Sequence, residues 1–358
     1  MRRTFDGVAR SVVISAVMIA FIVCDSTTRA DLPPLSPRAI GNGGSITQAA
    51  GYEFVTVGNP GNAPVPAQLQ DDTGGVVRPN LGVVNYSFAI SRTEVTYSEY
   101  LPFVRAYASH FGDDRNFSLI GSGIDRLPGS DRDPNNYVII PGYEHSPVEV
   151  GWRYAARFCN WLSNDRRSDA AAFMSGSYDA ATFGPPDTSL PPQDNYNRQP
   201  GARFFLPTLD EWTKAMYYDP SRYGPGQAGY WTYPTSSDSQ PAFGLPAAGG
   251  ESSYALVRRG ILVPLMPASY PGIMSPWGLF DGSGGAAEWL EDGADRRFRY
   301  TRGSSQFDFG SDLIGWDPQA NAQDLSFPMG IRLGMTVPTS STGLALLLAT
   351  FALSRRSR

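Results

Sequence analysis

The chain has 358 residues, 41% hydrophobic and 18% charged, enough apolar material for a packed domain and too much for a disordered chain. Its formal charge of −5 understates the acidity of its middle: setting aside four Arg and two Asp in residues 1–30 and three Arg after Pro338, 22 basic and 32 acidic residues remain, a net of −10. A body this acidic repels a phosphate backbone, which excludes nucleic acid from the expected partners.

At the start, Arg2, Arg3 and Arg10 precede an apolar run from Val12 to Val23, and Thr28-Arg29-Ala30 places small residues where a signal peptidase reads. Residues 1–30 are expected to be a cleaved secretory signal. Its removal takes Cys24 with it and leaves Cys159 as the one thiol of the body, so neither a disulfide framework nor a cysteine-based zinc site is expected.

Residues 31–50 contain Pro, Gly and Ser and read as a linker, with the folded body at 51–336. The alternation in Val83–Ile90 predicts a strand. Thr96 and Glu99 make a capping box that starts a helix, with Tyr100, Phe103, Val104 and Tyr107 on its buried face and a kink or early break at Pro102. A second helix is expected over Trp152–Asn164, with Trp152, Ala155, Ala156, Cys159 and Leu162 inward. A third begins at Thr208, capped by Glu211, with Trp212, Ala215 and Met216 inward. Residues 165–200 and 221–260 are polar or rich in Pro and Gly and read as long surface loops. After Val337-Pro338-Thr339-Ser340 comes an apolar stretch, Gly343–Leu353, and then Arg355-Arg356-Ser357-Arg358. Residues 337–358 resemble a PEP-CTERM sorting tail. The arginines are expected to stay cytoplasmic, with the body outside and held to the membrane through this tail before sorting.

Six motifs then fall in one order. They are Glu94-Val95-Thr96 after a strand; Pro147-Val148 with Trp152 and Ala155-Ala156-Arg157-Phe158-Cys159-Asn160-Trp161-Leu162; and Arg203-Phe204-Phe205-Leu206-Pro207-Thr208 with Glu211-Trp212. Ser275-Pro276-Trp277-Gly278-Leu279-Phe280-Asp281 running on to Glu288-Trp289, Arg302-Gly303-Ser304-Ser305, and Gly330-Ile331-Arg332 complete the set. The ordered set resembles the formylglycine-generating-enzyme (sulfatase-modifying-factor) family over about residues 50–336. The resemblance implies a loop-rich single α/β (α+β) domain with the formylglycine-generating-enzyme fold, related to C-type-lectin-like folds.

In the oxidase members of that family, two cysteines between the last two motifs bind copper(I). Here Ser304–Gly330 holds none and offers Asp308, Asp312, Asp317 and Asp324, hard oxygen donors that suit copper(I) poorly. Cys159, on the inner face of a helix, is expected to be buried and inert. Copper is therefore not expected. The resemblance also implies a calcium site at the Glu288 loop. Glu288 is kept and is the one metal-ligand candidate, but Gly285 stands in place of the family's asparagine and removes an oxygen, so calcium is at most weakly held. His110 and His145 are the only histidines, too few for a three-histidine iron site, and His145 is expected in a turn. No catalytic residue is expected.

Three functions stay open: a non-catalytic envelope or binding protein, the expected one, with an unknown protein, peptide or glycan ligand; a formylglycine-generating oxidase; and another enzyme on the same scaffold. Tyr230, Trp231 and Tyr233 are available either to a sugar or peptide or to the core, and their match to the family's Y-W-x-Y-P-T segment favours the core.

Overall fold

The computed structural model describes residues 44–337 except 72–76, 113–116, 184–193, 257–264, 294, 296, 307–311, 317–318 and 323–328. The expected signal at 1–30 and the expected tail lie outside the described residues, apart from Val337. Among the described residues no helix is long and apolar enough to cross a membrane.

The chain opens with β1 (Ile46–Ala49) and β2 (Tyr52–Val57), followed by α1 (Ala67–Asp71), β3 (Phe88–Ser91), α2 (Tyr97–Phe111) and α3 (Phe117–Ile120). Next come β4 (Ile124–Arg126), β5 (Tyr137–Ile139), α4 (Trp152–Ser163), α5 (Ala171–Met174), β6 (Phe204–Phe205) and α6 (Leu209–Tyr217). The remainder is β7 (Tyr218–Asp219), β8 (Gly229–Tyr230), β9 (Glu288–Trp289), β10 (Phe298–Arg302), β11 (Gln319–Asn321) and β12 (Gly334–Thr336). Five strands form one antiparallel sheet in the order β1-β2-β3-β12-β6, so the last strand slots between strands from the start and the middle of the chain. A second sheet runs β11-β10-β9, and the bridge from Glu288 to Gly330 ties it to the segment that leads into β12.

The five-stranded sheet divides the core in two because strand side chains alternate between faces. Tyr52, Phe54 and Ala89 join one cluster under α2 and α4; Val55, Val57, Phe88 and Ile90 join another under α6. Both capping boxes form as expected: Thr96 with Glu99 and Thr208 with Glu211, each pair satisfying two helix-end amides reciprocally.

Four expectations change. The linker ends sooner, because Ile46–Ala49 pairs with β2 through a turn at Ala50-Gly51, both in the left-handed region, and so belongs to the sheet. The strand expected at Val83–Ile90 shrinks to β3. Upstream, Val84 turns to the loop at 59–62, donating to Asn62 Oδ1 and accepting from Gly61 N–H, instead of joining a ladder. The helix expected to kink or break early at Pro102 does not break there and runs on to Phe111. Pro102 lies in its second turn, where the missing N–H would otherwise have reached only Ser98. The stretches expected as surface loops insert Phe173, Tyr178, Tyr196 and Tyr230 into the core, so they are anchored connections.

Candidate functional site

Four of the six motifs converge on one buried charge cluster. Arg332, from Gly330-Ile331-Arg332, grips Glu288 with Nε 2.9 Å from both carboxylate oxygens and Nη2 2.7 Å from Oε1. Trp212 Nε1 donates to Glu288 Oε2 at 2.6 Å. The remaining guanidinium hydrogens go to backbone carbonyls, Nη1 to Ser91 at 3.0 Å and Nη2 to Phe280 at 2.8 Å. Burial alone would lower the Arg332 pKa; Glu288, with Glu94 and Asp281 behind it, outweighs that and raises it.

Glu94, fully buried, accepts the Ala286 N–H on Oε1 at 2.8 Å, and its Oε2 has no hydrogen-bond partner. Burial, then the negative charges of Asp281 and Glu288, push the Glu94 carboxyl well above its ordinary range. Asp281 stands at a left-handed φ of 59°, with both oxygens receiving the Ala268 N–H. Burial raises its pKa to about 6 against that hydrogen bond and Arg332. Asp281 reaches a cleft lined also by Thr235, Tyr270 and Met274. The cleft has room for about 10 Å³, on the order of one water molecule.

The segment after Arg302-Gly303-Ser304-Ser305, where the oxidases carry their cysteines, is pinned by Asp312. Its Oδ2 accepts the Ser283 hydroxyl at 2.6 Å and its Oδ1 accepts Ser304 N–H at 3.1 Å. Ser283 also contacts the Ser252 hydroxyl at 2.8 Å, and Ser304 Oγ accepts Gly284 N–H at 2.9 Å. Burial raises the Asp312 pKa, and the two serines oppose it. This serine cluster closes a loop and leaves no exposed nucleophile: Ser252, Ser283, Ser304 and Asp312 are all buried. Asp308, Asp317 and Asp324 lie outside the described residues.

Cys159 is fully buried in α4 within the first core cluster, and burial drives its thiol far up. His110 meets the Ser168 carbonyl at the end of α2, and His145 lies in a turn. Tyr230 is buried, its hydroxyl bonded to the Ala63 carbonyl at 2.8 Å; Trp231 and Tyr233 are half-buried. Among the described residues no group of three or more His, Cys, Asp or Glu is placed to hold a metal ion. The motifs marked Arg332 and Glu94 in the sequence, but their pairing needs strands 44 and 192 residues from their partners and has no local signal.

A second polar cluster lies where α6 starts. Arg198 bonds both oxygens of Glu211, at 2.7 and 3.1 Å, and stacks 3.8 Å above the Phe205 ring. Tyr178 donates to Glu291 at 3.0 Å. Burial raises the Glu291 pKa from 4.5 to about 7, against the pull of Arg198. The folded form therefore keeps a proton that the unfolded chain releases. That stabilisation is complete below about pH 4.5 and is lost as pH rises through about 7. Glu291→Gln is expected to flatten this decline and to exceed the wild type in stability at about pH 8, by at most about 3 kcal/mol. Thermal unfolding across pH checks it: an unchanged pH slope refutes the assignment.

A loop-rich mixed α/β domain with a five-stranded antiparallel sheet between helices, and with four of the six ordered motifs meeting at a buried Glu–Arg pair, defines the class. The family model for the sulfatase-modifying factor enzyme 1-like domain matches residues 45–333, and the chain belongs to that family. Among solved structures it is similar to CarF (19% identity, TM-score 0.45, covering 80% of this chain and 99% of that one). It is also similar to Treponema denticola variable protein 1 (17% identity, TM-score 0.44, covering 82% of this chain and 99% of that one). A third is PvdO from Pseudomonas aeruginosa (16%, 0.43, covering 82% and 98%). Comparison with curated proteins finds no match.

Proposed function

We propose that this chain is an exported member of the family that makes no formylglycine and serves as a binding protein at the cell envelope. The observation that carries the reading is the state of the body's one thiol. Copper(I) chemistry of the kind the oxidases perform needs two thiolates at an accessible site, and thiolate ligation requires deprotonation. Cys159 is fully buried with its thiol pushed up, and it stands alone. The donor set does not fit copper(I).

Calcium at the Glu288 loop fits no better. A guanidinium already occupies both Glu288 oxygens, and Gly285 supplies no side-chain oxygen. No bound metal is part of this reading.

Purified body, loaded with copper, is expected to leave a Cys-x-Pro-x-Arg peptide unconverted by mass spectrometry. Aldehyde formation would overturn the reading, whether or not Cys159→Ser abolishes it. Export rests on the leader and the arginine-flanked tail. A reporter fused after Val337 is expected to be active only outside the cytoplasmic membrane; activity inside rejects it.

A further inference from the structure

We propose that the tip of the β7–β8 hairpin is a binding site for a neutral glycan, with the Tyr223 ring as the stacking platform. The proposal rests on the binding-protein reading and deepens it.

The hairpin is anchored rigidly. Tyr218 and Tyr230 pack at 5.1 Å between ring centres in the second core cluster, and the Tyr230 hydroxyl is bonded to the Ala63 carbonyl. Beyond that root, the tip is closed by Tyr223 N–H to the Gln227 carbonyl at 3.0 Å and Gln227 N–H to the Gly224 carbonyl at 2.9 Å. Among the described residues Tyr223 is the most exposed large hydrophobic side chain, at 64%. It is nonetheless fixed: its ring lies so close to Gly229 that a Cβ there would stand 2.6 Å from Cε2. Arg222, its own side chain only 9% exposed, wedges between two rings, 4.9 Å from the centre of Tyr223 and 4.5 Å from that of Trp231. An exposed aromatic ring held in place loses little freedom on binding, which is what an anchor residue requires.

The surroundings select the ligand. Asp238 pairs with Arg222, so the tip carries no uncompensated charge from this pair, and its carboxylate side chain is still 52% exposed. Asp238 Oδ1 is oriented by Thr232 N–H at 3.2 Å and Thr232 Oγ1 at 3.0 Å. Asp219 is oriented by Trp231 Nε1 at 3.2 Å and Ser221 N–H at 2.8 Å. Gln227, whose carbonyl accepts the Tyr223 N–H across the tip, is exposed. An exposed ring on a hairpin that also carries oriented carboxylate acceptors and an exposed amide suits a molecule with an apolar face and a rim of hydroxyls, which is a pyranose. The acidic body disfavours polyanionic sugars.

The test is native affinity electrophoresis of the purified body through gels containing hydroxyethyl cellulose, glucomannan, xylan or laminarin, with alginate as the polyanion. Retardation by at least one neutral polymer is expected, weakened about ten-fold or more by Tyr223→Ala and kept by Tyr223→Phe. Circular dichroism and melting temperature establish that both variants fold. No retardation by any neutral polymer, or retardation untouched by Tyr223→Ala, overturns the proposal. So does Tyr223-dependent binding of a proline-rich peptide in place of the sugars. Failure here with no aldehyde formed in the peptide assay removes the glycan site alone; aldehyde formation removes the non-catalytic reading.

Discussion

Glu288→Ala is expected to cost about 3–5 kcal/mol of folding stability, the range for removing one partner of a buried ion pair. The truncation leaves the Arg332 guanidinium buried with only the Ser91 and Phe280 carbonyls, and it strips Trp212 Nε1 of its acceptor. Asp281 acts on Arg332 only through space, its oxygens taken by Ala268 N–H, and does not replace the lost hydrogen-bonded partner. Glu94, its carboxyl pushed up by burial, is committed to Ala286 N–H. The double change Glu288→Ala with Arg332→Met is expected to recover part of the loss, because it removes the stranded charge along with the pair. Urea unfolding measures each step. In the wild type a chelator is expected to leave the melting temperature unchanged, since the charge that Glu288 satisfies is a guanidinium. A large chelator effect, or a Glu288→Ala cost under about 1 kcal/mol, would show that a cation and not Arg332 is the main partner.

The elements that were legible in the sequence are those whose signals are local. Thr96 with Glu99 and Thr208 with Glu211 are three residues apart, and each box forms as its spacing implies. The burial of Cys159 followed from helical periodicity alone. What was not legible depends on distant partners. Whether Val84 joins a strand is decided by Asn62 and Gly61, and whether residues 46–49 are linker or strand is decided by pairing with β2. The same holds at the site. Glu288 reads as a metal ligand when its own loop is considered and as an ion-pair partner once β12's approach brings Arg332 against it. Tyr223 had no signal at all: its clamp comes from Gly229 across the hairpin turn and from the guanidinium of Arg222.

Phe103→Ala is expected to destabilise the fold by about 3–5 kcal/mol, the range for truncating a buried aromatic side chain. Its ring is the hub of the first core cluster. Ring centres lie 5.0 Å away at Tyr100, 5.5 Å at Phe158, 5.8 Å at Tyr107 and Phe173, and 5.9 Å at Trp161. These partners come from α2, α4 and α5, so one truncation loosens the contact among three helices. The rings around it are themselves held from other sides. Tyr107 also stacks on Phe111 and meets Tyr154 edge-on, and Trp161 Nε1 is tied to the Arg167 carbonyl at 3.1 Å. They cannot all collapse into the vacated space, which places the cost toward the upper end. Phe103→Leu keeps most of the apolar volume and is expected to cost less than half as much. Phe298, whose ring is partly exposed on β10, is the control, and its change to alanine is expected to fall within about 1 kcal/mol. Urea midpoints for the three variants decide the matter. A Phe103→Ala cost no greater than that of Phe298→Ala would mean the aromatic cluster is not what joins α2 to α4.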